Sequence, residues 1–120
     1  MTIRNLTQNT RIAGQAVRAD TFLKRMQGLL GRASLATGEA LVIAPCRSVH
    51  MLFMRFSIDV VFLDWSSRVV GLCADLQPFS FSPVFWKSAC AIELPAGTIK
   101  KTNTRIGDHV VCHSRESGNP

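Results

Sequence analysis

Two carboxylates stand where the chain has almost nothing else polar: Asp59 inside "FSIDVVFL" and Glu93 inside "CAIELP". A charged group embedded in apolar sequence must be paired, hydrogen-bonded or neutralised, because burying it bare is costly. If the two lay close together in a cleft, one could hold a raised pKa and act as an acid, the logic of two-carboxylate glycoside chemistry. The alternative is architectural, with each carboxylate accepting hydrogen bonds from loop amides or from an arginine such as Arg47 or Arg55. On a strand, Asp59 shares a face with Ser57, Val61 and Leu63, while Phe56, Ile58, Val60 and Phe62 point the other way.

The segment before Asp59, "CRSVHMLFMRF", carries further candidates. Cys46, His50 and Met54 are spaced i, i+4, i+8. On an extended strand Cys46 and His50 would be about 13 Å apart, too far to share one ion, so the spacing predicts no metal site and Met51 and Met54 as core filling. The same distance separates Cys46 from His50 as a nucleophile–base pair, and no GxSxG elbow is present. His50 and Arg55 are expected at the rim of a pocket. "GLLGR" (28–32) lacks the GK[ST] of a phosphate loop and sits at a helix end; Arg32 remains able to present a guanidinium to a ligand. Trp65 and Trp86 are expected to cap the core, with stacking on a ligand as the alternative.

The elements that must position these residues are short. "TRIAGQAVRA" (10–19) reads as a strand, and Phe22, Leu23, Met26, Leu29 and Leu30 have helical spacing after a possible Asp20 cap, giving one short helix near residues 20–30. "ALVIAP" is a strand stopped by Pro45. Residues 57–63 and "RVVGLCADL" form a hairpin through "DWSSR". "SACAIELPAG" and "HVVC" are further strands, "TIKKTNTRIGD" is a helical turn or loop, and "QPFSFSPVF" is a loop. Cys46 to Asp64 as a whole is expected to be two strands around a bend at 53–56. Several short strands with one helix predict a mainly β (α+β) fold, a small barrel-like or sandwich-like sheet.

The 120 residues suffice for a single globular domain over 1–112, with 113–120 a disordered polar tail. The formal net charge is +6, but the only adjacent basic pairs are Lys24-Arg25 and Lys100-Lys101, so a basic nucleic-acid-binding domain is an alternative reading and nucleic acid is not the expected partner. The four cysteines form no CxxC pair and the first residues lack an export-type apolar stretch, so a reduced, cytoplasmic setting and no membrane segment are expected. No cofactor is implied.

Taken together, "GLLGR" (28–32), "PCRSVHMLFMRFSIDVVFLD" (45–64), "RVVGLCADLQPF" (68–79), "AIELPAGT" (91–98) and "IGD" (106–108) resemble the domain-of-unknown-function 192 family, over about residues 10 to 112. The matching positions are Gly28, Gly31 and Arg32; Ser48, Val49 and His50; Met54 and Arg55; Ile58 and Asp59; Glu93 and Gly97; Gly107 and Asp108. Ile92 stands where the family usually has Leu, Ser57 where it has Pro, and Met51 where it often has Thr. The resemblance implies a compact, mostly β, barrel-like domain with a short helix, and it implies no activity. The expectation from all of this is a small β domain that binds a small polar ligand or a partner protein, with His50, Met54, Arg55, Asp59, Glu93 and Arg32 as candidate ligand-binding residues. The alternative is an acid–base enzyme, of saccharide hydrolase or lyase type, using Asp59 and Glu93.

Overall fold

The computed structural model describes residues 1–19, 35–51 and 54–113. Eight strands and one short helix run in the order β1 (Thr2–Asn5), β2 (Thr10–Ala13), β3 (Gln15–Ala19), β4 (Glu39–Ile43), β5 (Ile58–Leu63), β6 (Val69–Leu76), β7 (Cys90–Pro95), α1 (Thr98–Lys101) and β8 (Val110–His113). They form two sheets, a three-stranded one in the order β2-β1-β8 and a five-stranded one in the order β3-β4-β7-β5-β6. Only the β3–β4 pair is parallel among these ladders. The fold is mainly β, as expected, and it is sandwich-like with no closed barrel. The helix expected near 20–30, with Asp20, Gly28, Gly31 and Arg32, lies outside the described residues. No helix among those described is long and apolar enough to cross a membrane.

β5 shows why these residues make this fold. All six of its residues are buried, as expected of a strand covered on both faces, and all but Asp59 are apolar. Alternation sends Val61 and Leu63 to one side and Ile58, Val60 and Phe62 to the other. The first side packs against the three-stranded sheet, where Ile3, Ile12 and Val110 meet Val42, Ile92 and Leu94. The second gathers Leu35, Leu41, Ile43, Val49, Met51, Met54 and Ala91. Burying a side chain of this size contributes about 1.5 to 3 kcal/mol before entropy is counted, so two such layers are the main source of stability.

The β5–β6 hairpin is present, closed by Asp64, whose Oδ1 accepts from the amides of Ser66 and Arg68, both at 2.9 Å. "TRIAGQAVRA" is two strands rather than one. They divide at Gly14, and β2 and β3 go to different sheets. The first arm of Cys46–Asp64 is not a strand. Its single ladder contact is the bridge from His50 to Phe81, and the carbonyls of Arg47, Val49 and Met51 accept from the amides of Phe85, Ser82 and Phe79. Residues 52 and 53, on the expected bend, lie outside the described residues.

Gly71 marks a close approach. The Phe85 ring covers it and packs on Phe62 at a centroid distance of 4.6 Å, and a Cβ at residue 71 would collide with the Phe85 ring. Gly71→Ala should therefore lower stability by about 1 to 3 kcal/mol through overpacking. Urea denaturation of the two proteins checks this, and an unchanged midpoint would show that Phe85 can move aside freely.

Candidate functional site

Register decides the relation between the two carboxylates. On β5 and β7, Asp59 lies opposite Leu94 and Val60 lies opposite Glu93. Cross-strand partners share a face and neighbours along a strand do not. Asp59 thus points to the layer of Val61, Leu63, Ile92 and Leu94, and Glu93 to the layer of Val60, Leu41 and Ala91. The expectation of a joint acid–base device is corrected here: the sheet itself separates the groups, and no single substrate can lie between them.

Asp59 is 1% exposed and fully employed. Its Oδ1 accepts from the amide of Asp75 at 2.8 Å, and its Oδ2 accepts from the amides of Gly97 at 3.1 Å and Ile99 at 2.8 Å. The first bond explains a local irregularity. Ile58 pairs with Leu76 and Val60 with Cys73, so Asp59 alone faces Ala74 and Asp75, a β-bulge with Asp75 at φ 54°. The other two bonds tie down the turn into α1, where Gly97 adopts φ 98°, a conformation that favours glycine. Of the two roles open to Asp59 in the sequence, acceptance from loop amides is the one realised.

Glu93 is the opposite case. It is 9% exposed, and among the described residues its carboxyl makes no hydrogen bond or ion pair. Desolvation pushes its carboxyl up to about 7. Buried polar groups are nearly always satisfied, so a carboxyl in an apolar layer without a partner among the described residues is a candidate site residue.

The other candidates divide. Met54 and Met51 are buried in the same layer that Glu93 faces, as core filling. His50 and Arg55 are exposed, with His50 at the bridge to Phe81. The Cys46 thiol donates to the carbonyl of Ser48 at 3.1 Å. Trp65 and Trp86 are 86% and 74% exposed, so they do not cap the core.

Sequence reasoning gave no role to a second buried network, at Asp108. The Asn5 amide donates to its Oδ2 at 2.9 Å, the Arg105 backbone amide to the same oxygen at 2.9 Å, and the Gln8 side chain to its Oδ1 at 3.3 Å. Burial works to raise the Asp108 carboxyl, but the hydrogen bonds from Asn5, Arg105 and Gln8 and the Arg105 charge outweigh it and hold the group below the usual range. A depressed carboxylate stabilises the fold above its unfolded pKa and loses that contribution as pH falls, so Asp108 belongs to the acid limb of stability. The signal available in sequence was the "GD" turn itself.

With this geometry in place, a family model matches residues 4–112 of the chain: DUF192, described as Uncharacterized ACR. The chain belongs to the DUF192 family. A UPF0127 protein of Thermococcus sibiricus is 38% identical over 112 residues, covering 88% of this chain and 71% of that protein. A UPF0127 protein of Pyrococcus furiosus is 33% identical over 109 residues, covering 88% and 93%. The crystal structure of a protein of unknown function from Novosphingobium aromaticivorans superposes with a TM-score of 0.77 at 19% identity, covering 92% of this chain and 82% of that one. That likeness shows the fold. Within this DUF192 chain, the family positions divide between architecture, at Asp59, Gly97 and Asp108, and a buried carboxyl with no partner among the described residues, at Glu93.

Proposed function

We propose that this protein is a small-ligand-binding domain whose polar anchor is Glu93. The observation that carries the reading is the combination of burial and the lack of a partner for that carboxyl among the described residues. Ligand sites are mostly apolar with a few convergent polar groups, and the layer of Leu41, Val60, Ala91, Met51 and Met54 around one carboxyl has that character. A carboxylate asks for a donor, so the ligand carries an amine or hydroxyls. Asp59 supports the reading indirectly, by fixing β5 against β6 and α1 on the far side of the same sheet.

The test is a thermal-shift and NMR titration panel of small amines, polyols and sugars against the wild type and Glu93→Gln. Expected is a compound that raises the wild-type midpoint and shifts resonances of β4, β5 and β7, with the effect reduced at least about tenfold in the variant, the loss of one charge-assisted hydrogen bond. A panel without a hit, or a hit that binds both proteins alike, overturns the proposal.

A second reading has its own observation. On the other side of the sheet a groove of about 360 Å³ is lined by Arg11, Gly14, Gly38, Gly97, Thr98 and Lys101 among others, with two cations and no carboxylate in its wall. The Arg11 side chain folds over Gly14, where an added Cβ would collide with the guanidinium. This groove suits a small anion. Gly14→Ala should displace Arg11 and weaken anion binding severalfold, whereas Glu93→Gln should leave it unchanged. A parallel titration with inorganic phosphate and sulfate, on the wild type, Gly14→Ala and Glu93→Gln, therefore separates the two readings.

A further inference from the structure

The loop between β6 and β7 leaves large apolar side chains in water. Phe79 is 67% exposed, Phe81 66% and Trp86 74%. Backbone hydrogen bonds hold this loop against the segment before β5: Phe79 donates to Met51, Ser82 to Val49 and Phe85 to Arg47, at 2.8 to 2.9 Å. The result is a ribbon of two irregular segments, joined by backbone hydrogen bonds and one bridge, with two faces. Val49, Met51 and Ser82 turn inward, and His50, Phe79 and Phe81 turn outward. Such exposed apolar groups on a well-tethered element mark an interaction surface.

The charge on this ribbon is one-sided. Arg47 and Lys87 are exposed on it, and Arg55, beside Met54 whose amide donates to the Met51 carbonyl, is exposed as well. Neither 46–57 nor 77–89 contains a carboxylate; Asp75 stands two residues before the second segment. The three aromatic side chains are each about two-thirds exposed or more. Aromatic rings beside lysine and arginine, without acids, match the chemistry of a lipid interface, where rings enter the headgroup boundary and cations meet anionic lipids.

We propose that the outward face of this ribbon rests on an anionic lipid surface. The site is separate from Glu93, which lies on β7, so the two proposals can fail independently. Purified full-length protein is sedimented with vesicles of phosphatidylcholine alone and of phosphatidylcholine with phosphatidylglycerol, at low and high salt. The expected result is partition onto the anionic vesicles only, lost at high salt, and weakened at least about tenfold by Phe79→Ser with Phe81→Ser. Both positions are exposed, so an unchanged thermal midpoint shows that the double variant is folded. Three results overturn the proposal. One is the absence of partition on either vesicle. Another is equal partition of wild type and double variant, which would assign the affinity to the overall +6 charge. The third is conversion of a dimer to a monomer by the double variant with vesicle binding intact, which would assign the face to a second copy.

Discussion

Glu93→Gln should make the protein more stable at pH 8 and leave it unchanged at pH 4. The sign follows from the protons bound. In the unfolded chain this carboxyl ionises near 4.5, and in the folded protein desolvation delays it to about 7. Between those values the folded state holds more protons than the unfolded state, so stability falls as pH rises and levels off above about 7. The separation corresponds to about 3 kcal/mol, an upper value for the wild-type loss across that window. Glutamine carries no charge at any of these pH values and removes the loss. For a domain of this size the difference appears as a midpoint raised by about 10 °C at pH 8, with the slope between pH 4.5 and 7 flattened. Calorimetry at pH 4, 6 and 8 on both proteins measures it. Parallel curves for the two would mean that the folded carboxyl is solvated or paired after all, and the ligand proposal would lose its basis.

The second large effect has the opposite direction. Asp59→Asn should destabilise the protein by about 3 kcal/mol or more. The carboxylate accepts three backbone amides, and hydrogen bonds to a charged acceptor contribute about 1.5 to 3 kcal/mol each without adding fully. An asparagine keeps one acceptor oxygen and turns an NH2 group toward buried donors, leaving at least one amide unsatisfied. Hydrogen exchange locates the damage. The amides of Asp75, Gly97 and Ile99 should lose protection first, ahead of the β4–β7 ladder. Loss of protection spread evenly over both sheets would instead assign Asp59 a role in global packing.

The contrast between these two residues shows how far the sequence could be read. The strands at 39–43, 58–63, 69–76, 90–95 and 110–113 were legible because each is a short apolar run closed by proline, glycine or a polar turn. β1 was not, because "TIRN" buries one hydrophobe, Ile3, and one asparagine, Asn5, whose partners Thr104 and Asp108 lie about a hundred residues away. The arm at 46–51 misled in the other direction. Its apolar content matched a strand, but content does not supply a neighbour with a matching edge, and it received one bridge. The parity of Asp59 with Val61 and Leu63 was correct from periodicity alone. That Glu93 faces away from it depended on the β5–β7 register, which no local pattern encodes. The tryptophans failed for a similar reason: size and hydrophobicity favour burial, but only the fold decides whether a turn points inward, and Trp65 and Trp86 point outward.

β1 lies between β2 and β8 in the smaller sheet, and Asn5 reaches Asp108 across 103 residues of chain. During synthesis β1 has its hairpin partner β2 soon after it emerges, but its other edge and its buried amide go unanswered until residue 113 has emerged. A chain arrested before β8 exposes Ile3 and Asn5 to solvent or to other nascent chains, and this long-range closure is left to the end of folding.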